Sequence, residues 1–158
     1  EEFYKFLRGE IDEEEYWKGI IRKNNWKIST ENLNKEMRNN FKEIEGTLYI
    51  IKKLKDKEYK LGLLSSHTKE WTEFLDKKYE YEKYFDAIVY SFNEGETKLN
   101  IELYEEILRK LQVKAEECAY IDDKEKYLEN GRKLGMKTIL FENSEKLIDE
   151  LNKLSIKL

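Results

Sequence analysis

Tyr59-Lys60-Leu61-Gly62-Leu63-Leu64, followed at once by Ser65-Ser66-His67-Thr68, is the stretch on which the fold turns. The run is short and mostly apolar, and it stops at small polar residues, which reads as a buried strand feeding into the start of a helix. The same unit recurs downstream. A helical pattern over 68–78 leads to Ala87-Ile88-Val89-Tyr90, one over 101–111 leads to Cys118-Ala119-Tyr120-Ile121, and one over 124–134 leads to Lys137-Thr138-Ile139-Leu140. A last helix is expected over about 144–154. Strands that alternate with helices predict an α/β fold, a doubly wound parallel sheet with helices on its faces.

Upstream the pattern is helical throughout. Asp12 and Glu15 have capping-box spacing, and Tyr16, Trp17, Ile20 and Ile21 follow on one face. After Ser29 and Thr30, Leu33, Met37 and Phe41 recur at steps of four, with Gly9 and Asn24-Asn25 as breaks. Beyond Gly46, Leu48, Ile51 and Leu54 mark one more helix. A block of 45 helical residues holds no core alone and must pack on something else. The expected organisation is a small helical cap over 1–45 and an α/β core over 46–158.

Composition narrows the partners. The signs of charge nearly cancel, 30 Lys+Arg against 34 Asp+Glu for a net −4, and they are interspersed, so no cationic face is set up for nucleic acid. The longest apolar runs, such as Leu61–Leu64, are far too short to cross a bilayer. No charged-then-apolar leader opens the sequence, which reads as cytoplasmic. The single cysteine, Cys118, cannot form an internal disulfide and reads as a small packing residue. There is no proline, so turns must be found by Gly, Asn and Asp.

In doubly wound sheets function gathers at the carboxyl ends of the strands. Here one strand ends in Ser65-Ser66-His67, the strand at 87–90 runs into a loop containing Lys98, and the strand at 118–121 ends in Asp122-Asp123. A hydroxyl, a cation and adjacent carboxylates are what phosphoryl transfer needs, the first two for oxygens and the last for Mg²⁺. Taken singly, each has a plainer reading. Ser65 is a helix N-cap, Lys98 a solvated lysine, and the acidic pair a surface loop capping the next helix. His67, the only histidine, reads as an exposed residue at a helix start, and the tryptophans and most tyrosines read as packing.

Together the three segments resemble the haloacid dehalogenase-like (HAD) superfamily. Leu63-Leu64-Ser65-Ser66-His67-Thr68-Lys69-Glu70-Trp71 is similar to its second motif, an apolar strand ending in Ser or Thr. Thr97-Lys98-Leu99-Asn100, followed by Leu103-Tyr104, resembles the third. Tyr120-Ile121-Asp122-Asp123, followed by Gly135-Met136, resembles the fourth. The resemblance covers about 46–142 well and the helical block loosely. It implies that Ser65 hydrogen-bonds a phosphoryl oxygen, with Ser66 beside it and main-chain N–H groups after Ser65 as further donors. It implies that Lys98 offsets phosphoryl charge, and that Asp122 and Asp123 hold Mg²⁺, Asp123 the more directly.

The resemblance has gaps. Family members carry Asp-x-Asp after a first strand, its first Asp attacking phosphorus, and no Asp-x-Asp occurs in these 158 residues. Ser66 stands where Asn is frequent, Leu99 for Pro, and Tyr127 where an Asn often follows the acidic pair. The reading is a Mg²⁺-dependent phosphomonoester hydrolase of a small phosphorylated metabolite, inactive without that strand. In the family the strand lies beside those ending in Ser65 and Asp122, so an open position there is expected to favour self-association. Two alternatives stand beside this reading: a non-catalytic HAD-like binding module, and a metal-independent 2-haloacid dehalogenase. The acidic pair argues against the second, since it would repel a departing halide.

Overall fold

The computed structural model describes all 158 residues, Glu1–Leu158. In chain order the elements are α1 (Glu2–Leu7), α2 (Glu13–Asn24), α3 (Thr30–Asn40), α4 (Thr47–Asp56), β1 (Gly62–Ser65), α5 (Lys69–Tyr79), β2 (Ala87–Tyr90), α6 (Ser91–Glu94), α7 (Glu102–Leu111), β3 (Ala119–Asp122), α8 (Glu125–Leu134), β4 (Lys137–Leu140) and α9 (Ser144–Lys153). None of these helices is long and apolar enough to cross a membrane.

The chain divides into two compact units. The first comprises Glu1–Lys42, Ser65–Glu80 and Tyr90–Thr97. Its helices start where local chemistry starts them. Asp12 accepts from the Glu15 N–H at 2.8 Å, and the Glu15 carboxylate accepts in return from the Asp12 N–H at 3.4 Å, so the capping box of α2 is complete. Asn25 ends α2 in the left-handed conformation at φ 51°, and Ser29 caps α3 by accepting from the Asn32 N–H. These helices do not make a core from the first 42 residues alone. Phe6 and Trp17 bury against Trp71, which α5 supplies from 54 residues beyond Trp17, with Tyr16, Leu33, Met37 and Phe41 packed around them. The sequence placed Phe41 on the apolar face of a helix. It lies instead just past the end of α3, in extended backbone, and still reaches Trp71 at 5.8 Å between rings.

Glu13 ties this unit together. Its residue is only 6% exposed, yet both carboxylate oxygens are met. Arg38 donates to them at 2.8 and 2.6 Å, and the Trp71 indole N–H donates at 2.5 Å. Fork-on-fork pairing of this kind is the strong form of the ion pair, and breaking it strands a half-buried guanidinium and a buried indole donor. Glu13→Ala is expected to destabilise the unit by about 3 kcal/mol, and Glu13→Gln by less, read as the shift in urea midpoint at constant slope.

The second unit comprises Glu43–Leu64, Tyr81–Val89 and Lys98–Leu158. Here β3 and β4 pair in parallel with Ala119 opposite Lys137 and Asp122 opposite Leu140, and β1 pairs with β2. Successive strand residues point to opposite faces. Tyr120 accordingly joins one apolar cluster, with Leu103, Tyr104 and Ile107 of α7, while Ile121 joins another, with Ile50, Leu54 and Leu151 of α4 and α9. Helices therefore cover both faces of a parallel α/β sheet, as the alternation of elements predicts.

The first strand is shorter than its apolar run suggests. The C-terminus of α4 closes with Glu58 left-handed at φ 62°, the Glu58 N–H donating to the Lys55 carbonyl and the Tyr59 N–H to that of Leu54. This double closure uses up the amide of Tyr59, so regular pairing begins only at Gly62. Gly46 opens α4 at φ 82°, and a Cβ there would meet Ser144 at 2.9 Å, so both conformation and space demand glycine.

Candidate active site

Lys98, which opens the loop before α7, and Asp122, the last residue of β3, form an ion pair between Lys98 Nζ and Asp122 Oδ2. Both are largely buried, with side chains 13% and 3% exposed. The same Asp122 oxygen accepts from the Tyr120 hydroxyl at 2.8 Å, and Oδ1 accepts from the Lys124 N–H at 3.0 Å. Burial pushes the Asp122 carboxyl up, but the Lys98 ammonium, the Tyr120 hydroxyl and the Lys124 amide outweigh it and hold it below the usual carboxylate range. Asp122 is therefore a fixed carboxylate, whereas Asp123, one residue on, is exposed. The two carboxylates are adjacent in sequence but have different environments. The plain reading of both as surface loop residues fails for the first.

The Lys98 loop is held from behind. The Tyr104 hydroxyl, on a fully buried residue, donates to the Tyr127 carbonyl at 2.8 Å and lies 3.1 Å from that of Lys98. Burial pushes the Tyr104 hydroxyl up to about 12, so it stays a donor at any working pH. Asn130 Nδ2 donates to the carbonyls of Lys98 and Leu99 at 3.3 and 3.2 Å. Over the front, the Lys98 ammonium lies 4.6 Å from the centre of the Tyr127 ring. Sequence reading took the tyrosines as packing and missed Tyr104, Tyr120 and Asn130. A signal existed for Tyr120, which shares a strand face with Asp122 at spacing two.

Ser65 is the last residue of β1 and is half-buried, as is Ser66. Ser65 is not a helix cap, because Thr68 occupies that position for α5. The turn between them is pinned by Ser91, fully buried, whose hydroxyl accepts from the His67 N–H at 3.1 Å and lies 2.6 Å from the Leu7 carbonyl. His67 is not exposed, as its place at a helix start suggested. Its ring lies 5.8 Å from Trp71 and 6.2 Å from Phe41, and its Nδ1 accepts from the Thr68 N–H. Burial pulls the imidazole below its usual value, only partly offset by that hydrogen bond, so it is neutral at pH 7. Cys118 is half-buried, with burial pushing its thiol up, which makes it a poor nucleophile.

The profile of the family described as haloacid dehalogenase-like hydrolase matches residues 1–141. The chain belongs to the HAD-like hydrolases. Among curated relatives, flavin mononucleotide hydrolase 1 of the Arabidopsis thaliana chloroplast is 24% identical over 152 residues. The match takes in 96% of this chain but only 61% of that protein's length. A HAD family enzyme of Bacteroides thetaiotaomicron, solved with magnesium and inorganic phosphate, superposes with TM-score 0.77 at 21% identity, over 90% of this chain and 75% of that one. A protein of Porphyromonas gingivalis described as a predicted HAD-like family hydrolase gives TM-score 0.79 at 20% identity, over 99% and 80%. At such identities the structural likeness establishes the HAD fold.

No group of three or more His, Cys, Asp or Glu side chains is gathered in this HAD-like chain as a ready-made metal cage. Mg²⁺ does not require one, since it keeps several waters and is commonly held by one or two carboxylates together with substrate phosphate. The donor set of Asp122 and Asp123 fits that habit, with Asp123 accessible and Asp122 committed to Lys98 and Tyr120.

Proposed function

We infer that the chain carries the phosphate- and metal-binding residues of a Mg²⁺-dependent phosphomonoester hydrolase acting on a small phosphorylated metabolite. The observation that carries this reading is the buried Lys98–Asp122 pair beside the exposed Asp123, a preorganised cation and carboxylate set of the kind that neutralises a phosphoryl group. The name of the Arabidopsis relative and the phosphate bound in the Bacteroides enzyme support the substrate class. In this reading Ser65 and Ser66 give hydrogen bonds to phosphoryl oxygens, and Lys98 offsets their charge. Asp123, with Asp122 directly or through water, would hold Mg²⁺, which would supply further positive charge against the phosphoryl oxygens. Tyr120, Tyr104 and Asn130 position Asp122 and the Lys98 loop. The residues 1–45 serve as the cap.

None of these side chains is placed by the family pattern to attack phosphorus, and covalent catalysis by a carboxylate needs that carboxylate. Residues 1–158 by themselves are therefore a binding frame without a nucleophile. Metal binding tests the frame without relying on turnover. Mn²⁺ in place of Mg²⁺ is expected to broaden the amide resonances of Asp123 and Lys124 selectively, and Asp123→Asn is expected to weaken that effect at least tenfold in metal concentration. Broadening that ignores Asp123→Asn, or that centres on another acidic segment, would remove the metal from this site.

A further inference from the structure

We propose that Lys124 and Lys126 form a second anion site beside Lys98, so that the substrate carries a carboxylate or a further phosphate a few bonds from the phosphoryl group. The inference rests on the phosphatase reading above and names its substrate class, small metabolites with two anionic ends. Three ammonium groups gather at one ring. Lys98 Nζ lies 4.6 Å from the centre of the Tyr127 ring, Lys126 Nζ 4.8 Å and Lys124 Nζ 6.0 Å. Tyr127 is 8% exposed and so gives a fixed point, whereas Lys124 and Lys126 reach solvent.

The charges around this ring do not balance. The Lys98 ammonium is answered by Asp122. Glu125 stands between the other two lysines in sequence, but Arg132 donates to its carboxylate at 2.5 Å and is itself anchored on the Thr138 hydroxyl at 2.9 Å. Lys124 and Lys126 are left without an ion pair. Of the acids from 122 to 126 that leaves Asp123, which the proposed function commits to Mg²⁺. Attraction to the ring face holds ammonium groups in place but does not discharge them, and each added lysine raises the positive potential for the next. Helix stability does not call for them either. Lys124 is the N-cap of α8 and Lys126 lies in its first turn, where the positive end of a helix disfavours cations.

Two uncompensated positive charges beside the lysine that meets the phosphoryl group select the chemistry of the rest of the substrate. A neutral polyol remainder would leave them as they are. A carboxylate or second phosphate would accept hydrogen bonds from both, and exposed lysines on flexible stems can close on it without burying an unmatched charge. Because Lys98, Lys124 and Lys126 share one ring, the two anionic groups must be joined by a short link such as a glyceryl skeleton. The contact is made by exposed charges and therefore weakens with salt. Lys124 and Lys126 set specificity in this scheme and take no part in breaking the phosphate ester.

The test titrates the whole chain, in Mg²⁺ at low ionic strength, with glycerol phosphate and with phosphoglycerate. These probes share a skeleton and differ in a hydroxymethyl group against a carboxylate. Dissociation constants are read from amide chemical shifts. Phosphoglycerate is expected to bind on the order of tenfold more tightly, with the additional shifts centred on Lys124, Lys126 and Tyr127. The ratio of the two constants is expected to fall to about one in the double variant Lys124→Gln with Lys126→Gln, and to persist in Lys124→Arg with Lys126→Arg. Equal binding of the two probes by the unchanged chain overturns the inference and leaves the phosphatase reading standing. A ratio that survives the glutamine pair also overturns it, since the carboxylate would then be read by Mg²⁺ or another cation. Glycerol phosphate binding that ignores Asp123→Asn counts against the phosphatase reading instead, and the ratio still decides on the lysines. Binding of neither probe overturns both.

Discussion

Joined to an N-terminal strand that carries Asp-x-Asp, residues 1–158 are expected to hydrolyse generic phosphomonoesters in Mg²⁺, on the order of 10³-fold or more faster than the same residues alone. The division of labour among side chains sets the size of the difference. Lys98 is fixed on Asp122, and in the proposed function this pair with Asp123 binds and neutralises a phosphoryl group. Preorganised charge of that kind speeds attack by water somewhat, so a weak residual rate is consistent with the reading. Asp123→Asn should remove most of the activity of the joined form. Ordinary turnover by residues 1–158 alone, abolished by Asp123→Asn, would place a nucleophile among the carboxylates already present and refute the missing-nucleophile reading. A joined form that is dead toward every substrate class would favour the non-catalytic binding module instead.

Asp122→Ala is expected to cost the second unit about 3 kcal/mol or more of stability. The change leaves the Lys98 ammonium buried without its partner and frees the Tyr120 hydroxyl from its acceptor. The double variant Lys98→Met with Asp122→Leu should recover much of the loss, because replacing both charges by apolar groups removes the desolvation cost along with the attraction. The pH dependence has a defined sign. The Asp122 carboxyl is held below its ordinary value of 3.8 in the folded chain, so it binds protons more weakly there than when unfolded. Its contribution is complete above about pH 4 and is lost as pH falls through the lowered folded value. In Asp122→Ala that part of the acid limb should be absent from chemical-denaturation stabilities measured across pH 2 to 5. An unchanged acid limb would mean that the pair contributes nothing to folding.

The order of elements was legible because periodicity and punctuation are local properties. The capping box at Asp12 and Glu15, the strand at 87–90 and the strand at 137–140 each rest on a few consecutive residues, and the chain forms them where the pattern places them. The errors arise where a distant partner decides. Tyr59 and Lys60 belong to an apolar run, but the closure of α4 claims the Tyr59 amide first. His67 is half-buried because Phe41 and Trp71 arrive from other elements. Asp122 is covered by a lysine 24 positions earlier, while Asp123 has the same residue type and remains exposed. Nothing in an acidic pair alone tells which member turns inward. The supports of the Lys98 loop were hidden for the same reason, since Asn130 reaches back more than thirty residues to the Lys98 and Leu99 carbonyls.

The division into two units has an optical consequence. Trp17, Trp26 and Trp71 all lie in the first unit, and the second holds no indole. Tryptophan emission excited at 295 nm therefore reports the surroundings of Glu13, Phe6 and His67 and is silent about the parallel ladder and the Lys98–Asp122 pair. Far-ultraviolet ellipticity weights both units by their helices. A denaturation followed by emission alone measures half of the molecule, and agreement of its midpoint with that of ellipticity is what would license a single free energy of unfolding for the whole chain.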